Sequence, residues 1–260
     1  MIRSLWIAKT GMEGQQNKLD TISNNLANVG TNGFKRGGVV FEDLMYQNLR
    51  PAGSATSEQT QLPTGLQVGL GVRTAASTRN FTQGALQNTG NNLDMAIAGQ
   101  GFFQIQLPDG STGYTRDGSF QLDAGGQMVT SAGYVLQPGI TVPANATGVT
   151  IASNGTVQAT LPGQVQPQSL GQIQLASFIN PAGLESRGGN LFAETAASGT
   201  ANAAAPGNNG LGTLKNGFLE GSNVNVVEEL VSMIATQRAY ELNSKAIQTS
   251  DQMLQKLSQM

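Results

Sequence analysis

The sequence predicts an α+β fold: a discontinuous helical coiled-coil unit built from the two ends, with an antiparallel all-β domain inserted between them. Three observations carry this. Each end of the 260-residue chain holds a long stretch whose apolar residues recur every seven positions. The middle alternates apolar and polar residues in short runs, cut by turn signals roughly every 8–15 residues. Glycine is abundant, 34 of 260, while charged residues make up only 12 % against an ordinary share of about 25 %.

The first helix is read from Leu5, Met12, Leu19 and Leu26, with Ala8, Gln15, Ile22 and Val29 offset by three. Over roughly 28 residues this prepares one side for a coiled-coil seam. Gly30 follows where a left-handed cap is expected. At the other end, Asn225 precedes Val226 and Glu228 lies three residues beyond it, close to a capping box. Val226, Met233, Tyr240, Ile247 and Leu254 then repeat by sevens, joined by Leu230, Ile234, Ala239, Ala246 and Met253. Polar Gln237, Ser244 and Asp251 interrupt that seam, as happens where register and partner choice matter. A helix apolar over so much of its circumference needs more than one neighbour. The two helices are therefore expected to pair with each other and with other chains.

Between them, Phe103–Leu107, Tyr114–Arg116, Phe120–Leu122, Met128–Val129, Tyr134–Leu136, Val149–Ile151 and Ile173–Phe178 read as strands. Pro108-Asp109-Gly110, Asp117-Gly118 and Asn154-Gly155 supply turns. Arg50 to Gly65 reads as a loop or extended arm, and the Ala, Gly and Asn of 196–212 as a mobile loop. The expected division is 1–30 and 223–260 for the helical unit, 71–205 for the β domain, and 31–70 with 206–222 as extended intermediate segments.

The composition excludes several chemistries. There is no His and no Cys, so the familiar nucleophile–imidazole systems, zinc thiolates and disulfides are gone. A net charge of -2 without a basic cluster argues against a nucleic-acid partner. No cofactor and no metal are expected. The opening apolar run, Leu5-Trp6-Ile7-Ala8, stops at Lys9, too short for a secretory signal or a membrane span, so export is expected by a route that reads no classical signal. Gly69-Leu70-Gly71 and Gly99-Gln100-Gly101 lack the remainder of a dinucleotide fingerprint and read as turn glycines. Asp109, Asp117 and Asp123 could pair only if the fold gathered them in a cleft; as residues before or near glycine they read as turn formers. Trp6 stands off the main seam and is either an anchor for a second neighbour or an amphipathic surface residue. Residues 37–222 carry 16 charges in 186 positions, a nearly neutral stretch that offers few fixed ion pairs.

Ser23-Asn24-Asn25-Leu26-Ala27-Asn28-Val29 with Gly33-Phe34-Lys35-Arg36 resembles the N-terminal signature of the bacterial flagellar rod and hook family. Val226-Val227-Glu228-Glu229-Leu230-Val231 with Gln237-Arg238-Ala239-Tyr240-Glu241 and Asn243-Ser244-Lys245 resembles its C-terminal signature. Asp94–Phe103 and Tyr114–Phe120 resemble the β domain of its larger members. The resemblance implies a non-enzymatic subunit of a hollow helical rod that crosses the periplasm and transmits torque from motor to hook. It also implies type III export and, as partners, further copies, proximal rod proteins, the hook protein, the rod cap and the P and L rings. A secreted β-domain hydrolase or glycan binder is the rival reading; it requires a cleft with paired carboxylates.

Overall fold

The computed structural model describes residues 2–53, 55–57, 60–61, 63–164 and 166–258. The chain is α+β, with a helix at each end and mostly antiparallel sheet between. It divides into two compact units. One comprises Met1–Leu26, Gly37–Thr78 and Asn225–Met260; the other comprises Ala27–Arg36 and Arg79–Val224.

In the first unit, helix α1 runs Ile2–Ala27 and helix α2 runs Val226–Ser258. The α2 start follows the expected cap: Val227 N donates to Asn225 Oδ1 at 3.1 Å, and Glu229 N donates to the Asn225 carbonyl at 3.0 Å. Glu228 and Glu229 place negative charge in the first turn, complementing the helix dipole. The end of α1 differs from the sequence reading. It stops two residues before Val29, and the left-handed glycine of the exit is Gly33 (φ 69°), not Gly30. Asn28 explains the early stop: its side chain accepts from Thr31 Oγ1 at 3.1 Å, and its carbonyl accepts from Thr31 N at 3.2 Å. A short polar side chain thus offers the backbone a turn in place of another helical step. The strand Gly37–Asp43 pairs with Val72–Arg79, and Gln47–Arg50 pairs antiparallel with Leu66–Val68. Within the arm 50–65, residues 54, 58, 59 and 62 lie outside the described residues, while Ala55–Ser57 pairs with Thr60–Gln61.

The second unit centres on the strand Phe102–Gln106, which pairs with Thr112–Thr115, Val135–Leu136 and Leu175–Ser177. Successive side chains of a strand point to opposite faces. Phe103 and Ile105 join one core with Met95, Ile97, Phe120, Met128 and Leu136; Phe102 joins another with Tyr114, Phe178 and Phe192. Phe103 stacks edge-to-face on Phe120 at 5.2 Å, and Tyr114 on Phe178 at 4.8 Å. Such pairs each add about 0.5–1.5 kcal/mol beyond area burial. A second sheet runs Gly148–Ile151, Thr156–Thr160, Gln168–Gln172.

Segments read as loop or linker also carry strands. Asn202–Ala204 pairs with Leu175–Ser177, Thr213–Asn216 with Met95–Ala98, and Phe218–Glu220 with Leu86–Asn88. The expected mobile loop 196–212 holds buried Ser198 and Leu211. Small residues are needed there, because a Cβ on Gly212 would lie 2.5 Å from the Ala98 carbonyl oxygen.

Candidate functional site

The helices are antiparallel neighbours. Ser4 Oγ meets Ser250 Oγ at 3.4 Å, a Cβ on Gly11 would lie 3.0 Å from Asn243 Nδ2, and Asn25 Nδ2 donates to Glu229 Oε2 at 3.4 Å. Each step of seven or fourteen along α1 is matched by the same step backwards along α2. Buried Thr236 occupies the level between. These three contacts are made by small or polar side chains, and buried Ile22, five turns from Ser4, lies on the same side of α1. Leu5, Met12, Leu19 and Leu26 stand about a quarter turn away from that side and are half-buried.

A second face of α1 meets the ribbon Gly37–Asp43/Val72–Arg79. A Cβ on Gly14 would lie 3.3 Å from Phe41, Asn17 Nδ2 donates to Thr74 Oγ1 at 3.1 Å, and Thr10 Oγ1 accepts from Val72 N at 3.4 Å. Asn25 holds Gly37 in both directions, donating to its carbonyl at 2.9 Å and accepting from its N–H at 2.8 Å. The signature asparagine thus fixes where the chain re-enters beside α1.

Of the residues expected at an assembly interface, Ile22 is buried, and Leu5, Met12, Leu19, Leu26, Met233, Ile247 and Leu254 are half-buried. Val29, Val226, Leu230, Ile234 and Tyr240 are exposed. The side of α2 turned away from Glu229, Asn243 and Ser250 carries an apolar stripe of which the sequence reading puts only Ile234 at the interface: Val227 (69 % exposed), Val231 (62 %), Ile234 (53 %) and Leu242 (69 %). Signature residues Asn24, Gln237 and Arg238 are exposed, while Asn243 is half-buried against α1. Trp6 is exposed, with Lys9 Nζ 5.3 Å from its ring centre.

The remaining signature residues Gly33, Phe34 and Lys35 lie buried in the β unit. A Cβ on Gly33 would collide with the backbone of Arg116 and Asp117 at 2.6–2.7 Å. The fully buried Lys35 Nζ donates to Glu220 Oε1 at 2.6 Å and to the Thr82 carbonyl at 2.8 Å. Glu220 Oε1 also accepts from Gly84 N at 2.9 Å. Arg116 brings a second buried cation, its Nη1 3.4 Å from Glu220 Oε2 and its Nη2 donating to the Gly99 carbonyl at 2.7 Å. Burial pulls the Lys35 ammonium below the ordinary lysine range, against the opposing pull of Glu220. Desolvation likewise lowers Arg116. Sequence reasoning named Lys35 but missed Arg116 and Glu220, since nothing local marks a partner 185 residues away.

The three aspartates are not gathered in a cleft as a pair. Asp109 accepts from Ser111 N and Oγ, Asp117 from Ser119 N and Oγ, and Asp123 from Ala124 N. Each closes its own turn. Hydrogen bonds from Ser111 hold the Asp109 carboxyl below the usual range. Among the described residues no group of three or more acidic side chains could hold a metal ion, and no helix is long and apolar enough to cross a membrane.

The chain thus joins a pair of terminal helices with an exposed apolar stripe to an antiparallel β unit. Residues 5–35 match the flagella basal body rod protein model, 96–159 the D1 domain of flagellar hook protein FlgE/F/G, and 215–260 the C-terminal domain of flagellar basal body rod FlgEFG proteins. The flagellar basal-body rod protein FlgG of Buchnera aphidicola (subspecies Acyrthosiphon pisum) is 58 % identical over 260 residues, all of both chains. FlgG of Caulobacter vibrioides is 51 % identical over 100 % of this chain and 99 % of its own, and FlgG of Bacillus subtilis 43 % over 99 % and 98 %. The chain belongs to the FlgG family of flagellar basal-body rod proteins and is a structural, non-enzymatic subunit of the rod.

Proposed function

We propose that copies of this chain stack into the hollow helical distal rod that crosses the periplasm and carries torque from motor to hook. In this reading the terminal segments 1–30 and 223–260 form a coiled-coil inner tube, and 71–205 form the outer wall. The observation that supports it most is the stripe Val227, Val231, Ile234 and Leu242, exposed on α2 opposite its α1 contacts. Each such side chain gains about 1.5–3 kcal/mol on burial, and in a polymer the covering surface is a second copy. Half-buried Leu5, Met12, Leu19 and Leu26 supply a further line for the same purpose. Proximal rod proteins, the hook protein and the rod cap contact the ends, and the P and L rings surround the sparsely charged β unit. Delivery is through the flagellar type III export apparatus.

Electron microscopy of the concentrated full-length protein tests the proposal. Tubes or stacked rings are expected, and Leu242→Asp is expected to need a concentration about 10- to 100-fold higher to form them. A monomer at every concentration would overturn it.

A further inference from the structure

The signature Gly33-Phe34-Lys35-Arg36 takes no part in the exposed helix face, so its function lies elsewhere. The chain passes between its two compact units at four places, after Leu26, Arg36, Thr78 and Val224. Three of these passages leave the β unit within a few residues of one another's hydrogen bonds. Arg36 N donates to Asn223 Oδ1 at 2.7 Å, and Asn80 N donates to the Arg36 carbonyl at 2.9 Å. Asn223 Nδ2 donates to the carbonyls of Asn80 at 2.8 Å and Thr82 at 3.1 Å. Beside this junction, Lys35 joins Thr82 to Glu220, Glu220 accepts from Gly84, and the Glu220 carbonyl accepts from Gly33 N at 2.7 Å. Segments 33–36, 80–84 and 220–223 are thus tied together by two side-chain hubs, one charged and one amide.

We propose that Lys35, Glu220, Arg116 and Asn223 form a load-transfer node that makes the three passages act in parallel when force moves between the helices and the β unit. This rests on the torque-carrying reading above. The physical ground is that both hubs are bonds of fixed direction, and the charged one sits in a site closed to water. Apolar contacts slide with little change in energy, whereas charge-assisted hydrogen bonds lose strength as soon as their geometry is sheared. Stability alone does not require such a site, because well-packed apolar residues generally serve as well as a buried ion pair. Two cations share one carboxylate, and Arg116 Nε has no hydrogen-bond partner among the described residues, so the cluster is costly to bury. What it supplies is a unique, shear-resistant register of three segments that are far apart in sequence. The node positions the passages; it touches no neighbouring copy.

Two full-length variants test this: Lys35→Met, which leaves Glu220 paired with Arg116, and Asn223→Ala, which leaves the charges intact. In the purified protein, hydrogen exchange at amides of 33–36, 80–84 and 220–223 is expected to quicken roughly tenfold. Amides of 102–106 and 128–130 should not change. In cells, isolated basal bodies should carry rods of normal number and length, with swimming kept in dilute medium and lost in viscous medium. Swimming equal to the parent in viscous medium overturns the proposal. Short or missing rods also overturn it, since the node would then join copies, and so does failure of both variants to accumulate, since it would then serve folding. Normal rods from Leu242→Asp would instead strike the assembly reading, leaving the exchange result on the node intact.

Discussion

The helical unit and the β unit solve the burial problem in opposite ways. In the β unit, Phe103, Ile105, Met128, Leu136 and Ile173 are sealed within one chain, and even charged Lys35 and Glu220 have their partners inside. In the helical unit Ser4, Gly11 and Asn25 of α1 meet Ser250, Asn243 and Glu229 of α2; Ile22 is buried on that side, while the other large apolar residues expected at the interface are half-buried or exposed. Small or polar contacts of this kind set register but supply little burial. The β unit is finished by folding within one chain; in the proposed rod the helices would be finished by neighbouring copies.

The largest expected effect breaks that contrast from the β side. Glu220→Gln strands two buried cations and should cost about 3–5 kcal/mol. Calorimetry should show the loss in the β unit, while circular dichroism at low temperature keeps its helical signal.

On the helix side, Val231→Asp or Leu242→Asp should leave the monomer's unfolding free energy within about 0.5 kcal/mol of the parent. The concentration needed for polymerisation should nevertheless rise by about 10- to 100-fold. Sedimentation of polymer across a dilution series measures it.

Alkaline pH sharpens the same comparison. Burial, followed by the nearby Glu194 carboxylate and its hydrogen bond, pushes the Tyr114 phenol up to about 12. Between pH 10 and 12 the unfolded chain releases this proton and the folded chain keeps it in place. The folded state therefore binds more protons, and stability falls as pH rises, by roughly 2–3 kcal/mol across the window. The lowered Lys35 acts in the opposite sense, so the parent must be compared with Tyr114→Phe, whose decline should be shallower. Denaturant titrations at pH 9 and pH 12 (roughly one unit outside the ordinary tyrosine range on the low side) report the difference.

The smallest effect concerns the join between α1 and its ribbon. Asn25→Ala removes two hydrogen bonds to half-buried Gly37, together with the longer one to Glu229, and should cost about 1–2 kcal/mol. Exchange should quicken at residues 37–43, and the β-unit core should be unaffected.

Much of the plan was legible in the sequence because its signals are local. The sevenfold repeats found both helices, Asn225 found the start of α2, and strands such as Phe120–Leu122 and Gly148–Ile151 stand between turn residues. Met95–Ala98 went unread because a strand covered on both faces shows no alternation. Asn202–Ala204 and Thr213–Asn216 went unread because small and polar residues there pair through backbone, which composition does not report. The leucine line was legible as apolar, but its angle to the partner helix was not.

By itself, then, the sequence determined that two amphipathic helices would flank a β unit, since periodicity and turn chemistry act over a few residues. Only the tertiary structure decided that Ser4, Gly11 and Asn25 meet Ser250, Asn243 and Glu229 and that Lys35 meets Glu220 and Arg116. Those outcomes depend on which distant surfaces meet, and a pairing 185 residues long leaves no periodic trace in the chain.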